Sequence, residues 1–260
     1  MIRKERKERI DRLLVEQGLA PSRARAQAFF SSDETAVFAG SRRVDKPGTL
    51  VDAALPLRVE GAPLRYVSRG GLKLEGALDH FGLDVGGLTA LDLGASTGGF
   101  TDCLLQRGAA HVIALDVGEG QLAPRLRCDR RVTLRERVNA RALSADDVPC
   151  PVDLIVADLS FISLRLVLPA ALPFLRPGGL LVALVKPQFE VGRGGVGKGG
   201  VVRDERRRRE AIESIATFAR AQGLLVEGWI DAPIAGPAGN REALLCARTP
   251  AAAAPGPSSG

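Results

Sequence analysis

The sequence predicts a doubly wound α/β body with a mostly parallel sheet, preceded by a small basic α+β module. Three observations lead there. From residue 88 onward short apolar runs alternate with amphipathic stretches, the pattern of repeated strand and helix units. Several of these runs are too uniformly apolar to leave one face in water, as buried parallel strands are. The charge is also lopsided. Residues 1–73 hold 15 Lys and Arg against 9 Asp and Glu, so the whole net charge of +6 lies in the first 73 of 260 residues. A basic segment on a neutral body is what a reader of phosphate backbones attached to a second domain looks like.

Composition sets the outer bounds. Hydrophobic residues at 45% suffice for a real core, and 25% charged residues is ordinary for a globular chain. MIRKERKERI carries basic residues with no apolar stretch behind them, and no run of about 18 apolar residues occurs, so neither a cleaved signal nor a spanning helix is expected. Cys103, Cys128, Cys150 and Cys246 are scattered, without metal-ligand spacing, which disfavours a zinc site or a disulfide scaffold and fits the cytoplasm.

In chain order, residues 1–60 form the basic module. Ile10, Leu13 and Leu14 mark a short amphipathic helix that Gly18 stops. Ser22 can cap a second helix, SRARAQAFF, whose first turn holds Arg23 and Arg25 where the helix dipole prefers acids. Such a placement points to an anionic partner. Short β segments follow around Val37, Val44 and Leu57–Val59, separated by turns at Gly40 and Pro47-Gly48. Arg9, Asp11, Leu14, Gly18, Leu19, Ser22, Arg23 and Ala26, with Val44-Asp45-Lys46-Pro47-Gly48 beyond, resemble the S4 RNA-binding domain; SSDETAVFAGSRR departs from its usual short turn. The resemblance implies RNA contacts at Arg23, Arg25, Arg42, Arg43 and Lys46. GAPLRYVS, residues 61–68, reads as a linker, 69–248 as the body, and the Ala/Pro/Gly/Ser-rich stretch 249–260 as a disordered tail.

In the body, TALDLG, HVIALD, VTLRER, DLIVAD, LLVALVK, LLVEGWI and ALLCA are the expected strands. Ligands of such sheets bind beyond the carboxyl ends of the strands, which singles out Asp92, Gly94, Asp116, Asp158 and Lys186. LDLGASTGGFTD is a strand, a glycine turn and a helix start. Gly94, Gly98 and Gly99 permit a tight turn and the helix offers free N–H groups. The spacing is not G-x-G-x-x-G, which weighs against a dinucleotide, while Asp116, 22 residues after Gly94, stands where a carboxylate binds a ribose diol. This combination favours S-adenosylmethionine, with contacts expected at Asp92, Gly94, Ala95, Ser96, Gly98, Gly99, Phe100, Asp116, Asn139 and Asp158. GRGGVGKG, from Gly192 to Gly199, mimics a P-loop. It lacks the hydroxyl residue after Lys198, stands apart from its strand and follows the acidic strand that should come after it. It reads as a flap or an RNA contact.

LDLGASTGGFTD, VADLSFISL, LVKPQFE with VGKGGVVRD, and YVSRGGLKL resemble the TlyA family of bacterial rRNA 2′-O-methyltransferases, also called hemolysins, whose catalytic domain is similar to the FtsJ/RrmJ enzymes. The match runs from about residue 9 to 248. It implies a Rossmann-like class I methyltransferase domain and a Lys-Asp-Lys-Glu tetrad at Lys73, Asp158, Lys186 and Glu242. It further implies rRNA in ribosomal subunits or ribosomes as partner, with cytidines of 16S or 23S rRNA as targets. No metal, membrane or obligate protein partner is expected, and the chain is expected to be a monomer. The residues themselves support Asp158 and Lys186, each closing an apolar strand on the ligand rim and within reach of the other. By their sequence context alone Lys73 and Glu242 read as surface residues.

A ribose 2′-hydroxyl is a weak acid and a poor nucleophile, so attack on a sulfonium methyl needs in-line placement and help with the proton. Lys186 is the candidate nearest that oxygen: neutral, it is a general base; charged, it stabilises the developing alkoxide. Two other readings stay open at this point: an RNA-binding assembly protein with an inactive methyltransferase fold, and a membrane-active hemolysin.

Overall fold

The computed structural model describes residues 6–31, 35–61, 65–192, 195–197, 199–236 and 238–252. Residues 32–34 of the unusual turn, 62–64 of the expected linker, 193–194 and Lys198 of the glycine-rich loop, and the tail from 253 lie outside them. The chain divides into two compact units, Met1–Arg69 and Gly70–Gly260.

In the first unit β1 (Lys7–Arg9) runs into α1 (Ile10–Glu16), which ends at Gly18 with φ +72. Then come α2 (Arg23–Ala28) with a 3-10 turn at Phe29–Ser31, β2 (Ala36–Ala39), β3 (Arg42–Val44), β4 (Leu50–Asp52) and β5 (Leu57–Glu60). Ser22 caps α2 by accepting from the Arg25 amide. The central strand β2 pairs antiparallel with β3 and β5, and β1 pairs with β4. Ile10, Leu13, Leu14, Ala26, Phe29, Val37, Val44, Val51 and Leu57 share one core. Asp11 is fully buried beside it. It accepts from Arg9, from Arg23 Nε at 2.9 Å and from Gln27 Nε2 at 2.8 Å, and the Arg9 hydrogen bonds above all hold its carboxyl far below the usual range. Tyr66, within the expected linker, is fully buried.

The second unit opens with α3 (Gly70–His80) and continues as β6 (Thr89–Leu93), α4 (Gly99–Gln106), β7 (His111–Leu115), α5 (Pro124–Arg127), β8 (Val132–Arg135) and β9 (Val152–Ala157). It ends with α6 (Leu164–Ala171), β10 (Leu175–Val185), α7 (Pro187–Glu190), α8 (Glu205–Ala221), β11 (Leu225–Asp231) and β12 (Ala243–Arg248). The seven strands order as β11-β12-β10-β9-β6-β7-β8. All seven expected runs are strands, and the pairs from β10 through β8 are parallel, whereas β12 enters antiparallel between β10 and β11. The antiparallel return from β11 to β12 needs no crossover helix, and the apolar pattern of β12 reads the same in either direction.

Alternation along the strands sorts side chains to the two faces. Leu91, Leu93, Ile113, Ile155, Leu181, Ala183 and Leu245 pack with Leu164, Val167 and Leu168 of α6 and Ile212, Ile215 and Ala216 of α8. The opposite face meets α3 and α4. Among the described residues no helix is long and apolar enough to cross a membrane.

Candidate active site

Three neighbouring strands deliver a charged cluster to one rim of the sheet. In the pairing of β9 with β10 and of β10 with β12, Ala157 stands level with Ala183, and Val185 is opposite Ala243. The residues just beyond are Asp158, Lys186 and Glu242. Because β12 is antiparallel, its beginning lies beside the ends of β9 and β10, so a residue preceding a strand joins residues that follow strands. Lys186 Nζ donates to Ser160 Oγ at 2.9 Å and lies 2.6 Å from Asp158 Oδ1, an ion pair outside hydrogen-bond angles. Both side chains are largely sheltered.

Lys73 reaches the same rim from α3. Its Nζ donates to Glu242 Oε2 at 2.5 Å, and the pair is buried, at 6% and 2% exposure. The surface placement suggested by their local sequence is therefore corrected: each is buried because the other neutralises it. Gly76, one turn after Lys73, makes the approach possible, since an added Cβ would meet Pro233 Cγ at 3.0 Å. Two ion pairs thus stand together on three strand ends and one helix. Asn240 is also buried here; its Oδ1 accepts from Val202 N and its Nδ2 donates to Gly200 O.

The glycine turn between β6 and α4 abuts this cluster. Gly94 has φ +82 and sits so close to β9 that a Cβ would come 2.6 Å from the Asp158 carbonyl. At Gly98, φ +98, a Cβ would strike Leu126 and Leu122. The close neighbours of these two glycines are thus protein groups: they let the turn seat against β9 and α5. Gly99 starts α4, and Ala95 and Phe100 are buried. Ser96 is exposed with φ +47, a strained left-handed conformation, and its amide donates to Asp116 Oδ2 at 2.7 Å while Gly118 N donates to Oδ1 at 2.7 Å. The Asp116 carboxylate is thereby fixed at the end of β7 beside Val117, which is 75% exposed. Asn139 is exposed and uses Oδ1 on the Arg141 amide in a local turn; the Val138 N bond to Asp116 O brings that turn next to Asp116.

Asp92 lies beneath the turn, fully buried in β6. Its Oδ2 accepts from Thr101 Oγ1 at 2.6 Å; Oδ1 is buried without a protein hydrogen-bond partner. Burial, opposed by the Thr101 bond, pushes its carboxyl up to about 7. A buried unsatisfied acceptor, a fixed carboxylate that accepts on the rim and an exposed apolar side chain beside it suit a nucleoside that donates from its hydroxyls and carries an ammonium group.

Sequence reasoning missed Phe161. It is 91% exposed with φ +64, follows the Ser160 that Lys186 touches, and stacks obliquely on Phe189 with centroids 5.3 Å apart. The signal was present in VADLSFISL, but an aromatic in an apolar run reads as core. In the first unit Arg42 and Lys46 are exposed, Arg43 Nε donates to Asp45, Arg25 is half-buried, and Arg23 is committed to Asp11.

Comparison with known proteins supplies the context for this geometry. The family model described as FtsJ-like methyltransferase matches residues 66–249. TlyA of Mycobacterium tuberculosis, named a 16S/23S rRNA (cytidine-2′-O)-methyltransferase, is 48% identical over 94% of this chain and 91% of its own. Hemolysin A of Brachyspira hyodysenteriae is 38% identical over 91% of this chain and 98% of its own. A solved Streptococcus thermophilus structure, titled a hemolysin, superposes with a TM-score of 0.74 at 43% identity, covering 95% of this chain and 90% of that one. Since the family match spans the glycine turn and all four charged rim residues, and near-full-length relatives include TlyA itself, the chain belongs to the FtsJ-like methyltransferase family, on its TlyA branch.

Proposed function

We propose that the chain methylates a ribose 2′-hydroxyl of rRNA, at cytidines of the 16S or 23S molecule, within ribosomal subunits or ribosomes. The observation that carries the reading is the pair of ion pairs, Lys186–Asp158 and Lys73–Glu242, assembled on the rim next to the glycine turn. When bound, S-adenosylmethionine supplies an electrophilic sulfonium methyl. Asp116 would hold its ribose diol, Val117 and the turn at Asn139 would flank its adenine, and the backbone from Gly94 to Gly99, with Asp92 buried beneath it, would line the rest of the site.

The chain's own work is to place and polarise the attacking oxygen. Lys186, paired with Asp158, faces the 2′-oxygen and stabilises it as it turns negative; Asp158 is the acceptor in the same cluster to which the hydroxyl proton can pass. Ser160 keeps the Lys186 ammonium aimed. Glu242 compensates Lys73, whose charge adds to the field at the oxygen. Phe161 offers a face on which an unstacked base can rest while its ribose enters the site. The first unit is an S4-like module that docks folded RNA through Arg42 and Lys46, with Arg25 and Arg43 beside them, while Arg23 serves the fold through Asp11. The enzyme works in the cytoplasm, as a monomer.

The test is transfer of labelled methyl from S-adenosylmethionine to unmodified ribosomal subunits, followed by alkaline hydrolysis, which needs a free 2′-hydroxyl. Label retained in alkali-resistant dinucleotides is the expected result. Label released wholly in mononucleotides means base methylation and refutes the reading.

A further inference from the structure

Asn240 stands two residues before Glu242 and is 2% exposed. A primary amide has one accepting and one donating end, and here both serve one stretch of backbone: Val202 N donates to Oδ1 at 2.9 Å, and Nδ2 donates to Gly200 O at 2.8 Å. The residue's own carbonyl accepts from Gly236 N at 2.9 Å. Gly236 lies so near Glu242 that an added Cβ would come 2.5 Å from Oε1. Asn240 thus holds the Gly200–Val202 backbone with its side chain and the wall behind the Glu242 carboxylate with its main chain. Gly199 and Gly200, at φ +83 and +78, turn the chain into this grip, and Arg203, next after Val202, is exposed.

We infer that Asn240 is a positioning residue that couples the Gly200–Arg203 segment to the Glu242–Lys73 pair. The inference rests on the reading of Glu242 as part of the active site. A phosphate of the substrate RNA held by Arg203 fixes Val202, Val202 fixes the Asn240 amide, and the Asn240 carbonyl fixes Gly236 against Glu242. Contact with the polyanion on the outside therefore steadies the carboxylate that compensates Lys73 on the inside. Burying a polar side chain with both ends used is costly to replace, because either end left unpaired keeps its desolvation penalty.

Asn240→Ala removes both side-chain bonds. Gly200→Ala puts a β-carbon on a left-handed residue and displaces the carbonyl that Asn240 binds, without touching Asn240. Each variant is expected to lower kcat about tenfold or more, with KM for RNA and cofactor affinity changed by less than about threefold. The double variant is expected to lose no more than the worse single one, since both break one link. Amide hydrogen exchange reads the link without substrate: in Asn240→Ala the Val202, Gly236 and Ala232 amides, the last bonded to Glu242 O, exchange faster together. Wild-type kcat in folded Asn240→Ala, or losses that multiply in the double variant, overturn the coupling. Should the amides respond while the wild-type enzyme places no methyl on ribose, the functional reading fails and the coupling stands. If Asn240→Ala does not fold, Gly200→Ala alone decides on kcat and on the same three amides.

Discussion

Lys73 Nζ and Glu242 Oε2 lie 2.5 Å apart and nearly sealed from solvent, although 169 residues separate them in the chain. One comes from the first helix of the second unit and the other from the turn before β12. Each is the other's ion-pair partner, so the pair is a tertiary bond between the two ends of the domain.

Breaking one side of that bond leaves a buried charge uncompensated. Lys73→Ala or Glu242→Ala is expected to cost about 3–5 kcal/mol. The double variant Lys73→Met/Glu242→Gln is expected to recover most of that loss while remaining inactive. Urea midpoints compared at one pH, alongside methyl transfer, check both halves; a stable single variant contradicts the pairing.

The Lys186–Asp158 pair is less sealed than Lys73–Glu242, at 11% and 23% side-chain exposure, so replacing Lys186 should cost less stability. Lys186→Ala is expected to reduce methylation by about 10³-fold or more, with RNA affinity within a factor of about three. Residual transfer near the wild-type rate in a filter-bound labelling assay removes Lys186 from the reaction.

Asp92 gives a pH signature. Its folded carboxyl titrates at about 7, above the ordinary value of 3.8. The folded state therefore binds more protons than the unfolded state between those values, and stability falls as pH rises through that window, levelling above it. Asp92→Asn removes this slope. Thermal midpoints from pH 5 to 8 test it: parallel curves for the two proteins would sink the assignment.

Phe161 spends backbone strain to expose an aromatic ring, and stacking of a base on such a ring contributes about 1–3 kcal/mol. Phe161→Ala is expected to lower kcat/KM for RNA by about 5- to 100-fold, while cofactor affinity measured by calorimetry stays put. Phe161→Trp is expected to retain activity, and equal losses in both variants would count against stacking.

Arg42 and Lys46 are predicted phosphate contacts in the first unit. Replacing either by Ala should reduce the slope of log K against log salt by about 0.7–0.9. Arg23→Ala should instead destabilise the unit, by about 1–3 kcal/mol, because Asp11 loses one of its bonds. Identical salt slopes in all three variants would show that RNA docks elsewhere.

The strands, the glycine turn and the Asp158–Lys186 contact were legible in the sequence because each is written locally: an apolar run, a turn residue, a charge at the end of a run. Lys73 and Glu242 were legible only by resemblance, since their partner lies at the far end of the domain and their neighbours look like surface. The direction of β12 was hidden for a similar reason, as side-chain alternation is blind to strand polarity. Arg23 shows what a helix position alone leaves out. An arginine in the first turn of a helix looks unfavourable in isolation, yet its Nε reaches the buried Asp11 carboxylate, twelve residues earlier, while about half of the side chain stays in solvent. Asn240 carried no signal at all, because an Asn beside Gly reads as an ordinary turn.

The late position of β12 governs when the enzyme can exist during its own synthesis. Six of the large sheet's seven strands, the glycine turn, Asp158 and Lys186 all leave the ribosome before Glu242 does. Until that residue arrives, Lys73 has no anion to sit against, and the slot between β10 and β11 is open. A nascent chain thus carries the glycine turn and the Asp158–Lys186 pair before the residue that closes the second ion pair. A frameshift anywhere upstream of residue 242 would silence the protein as surely as one near its start.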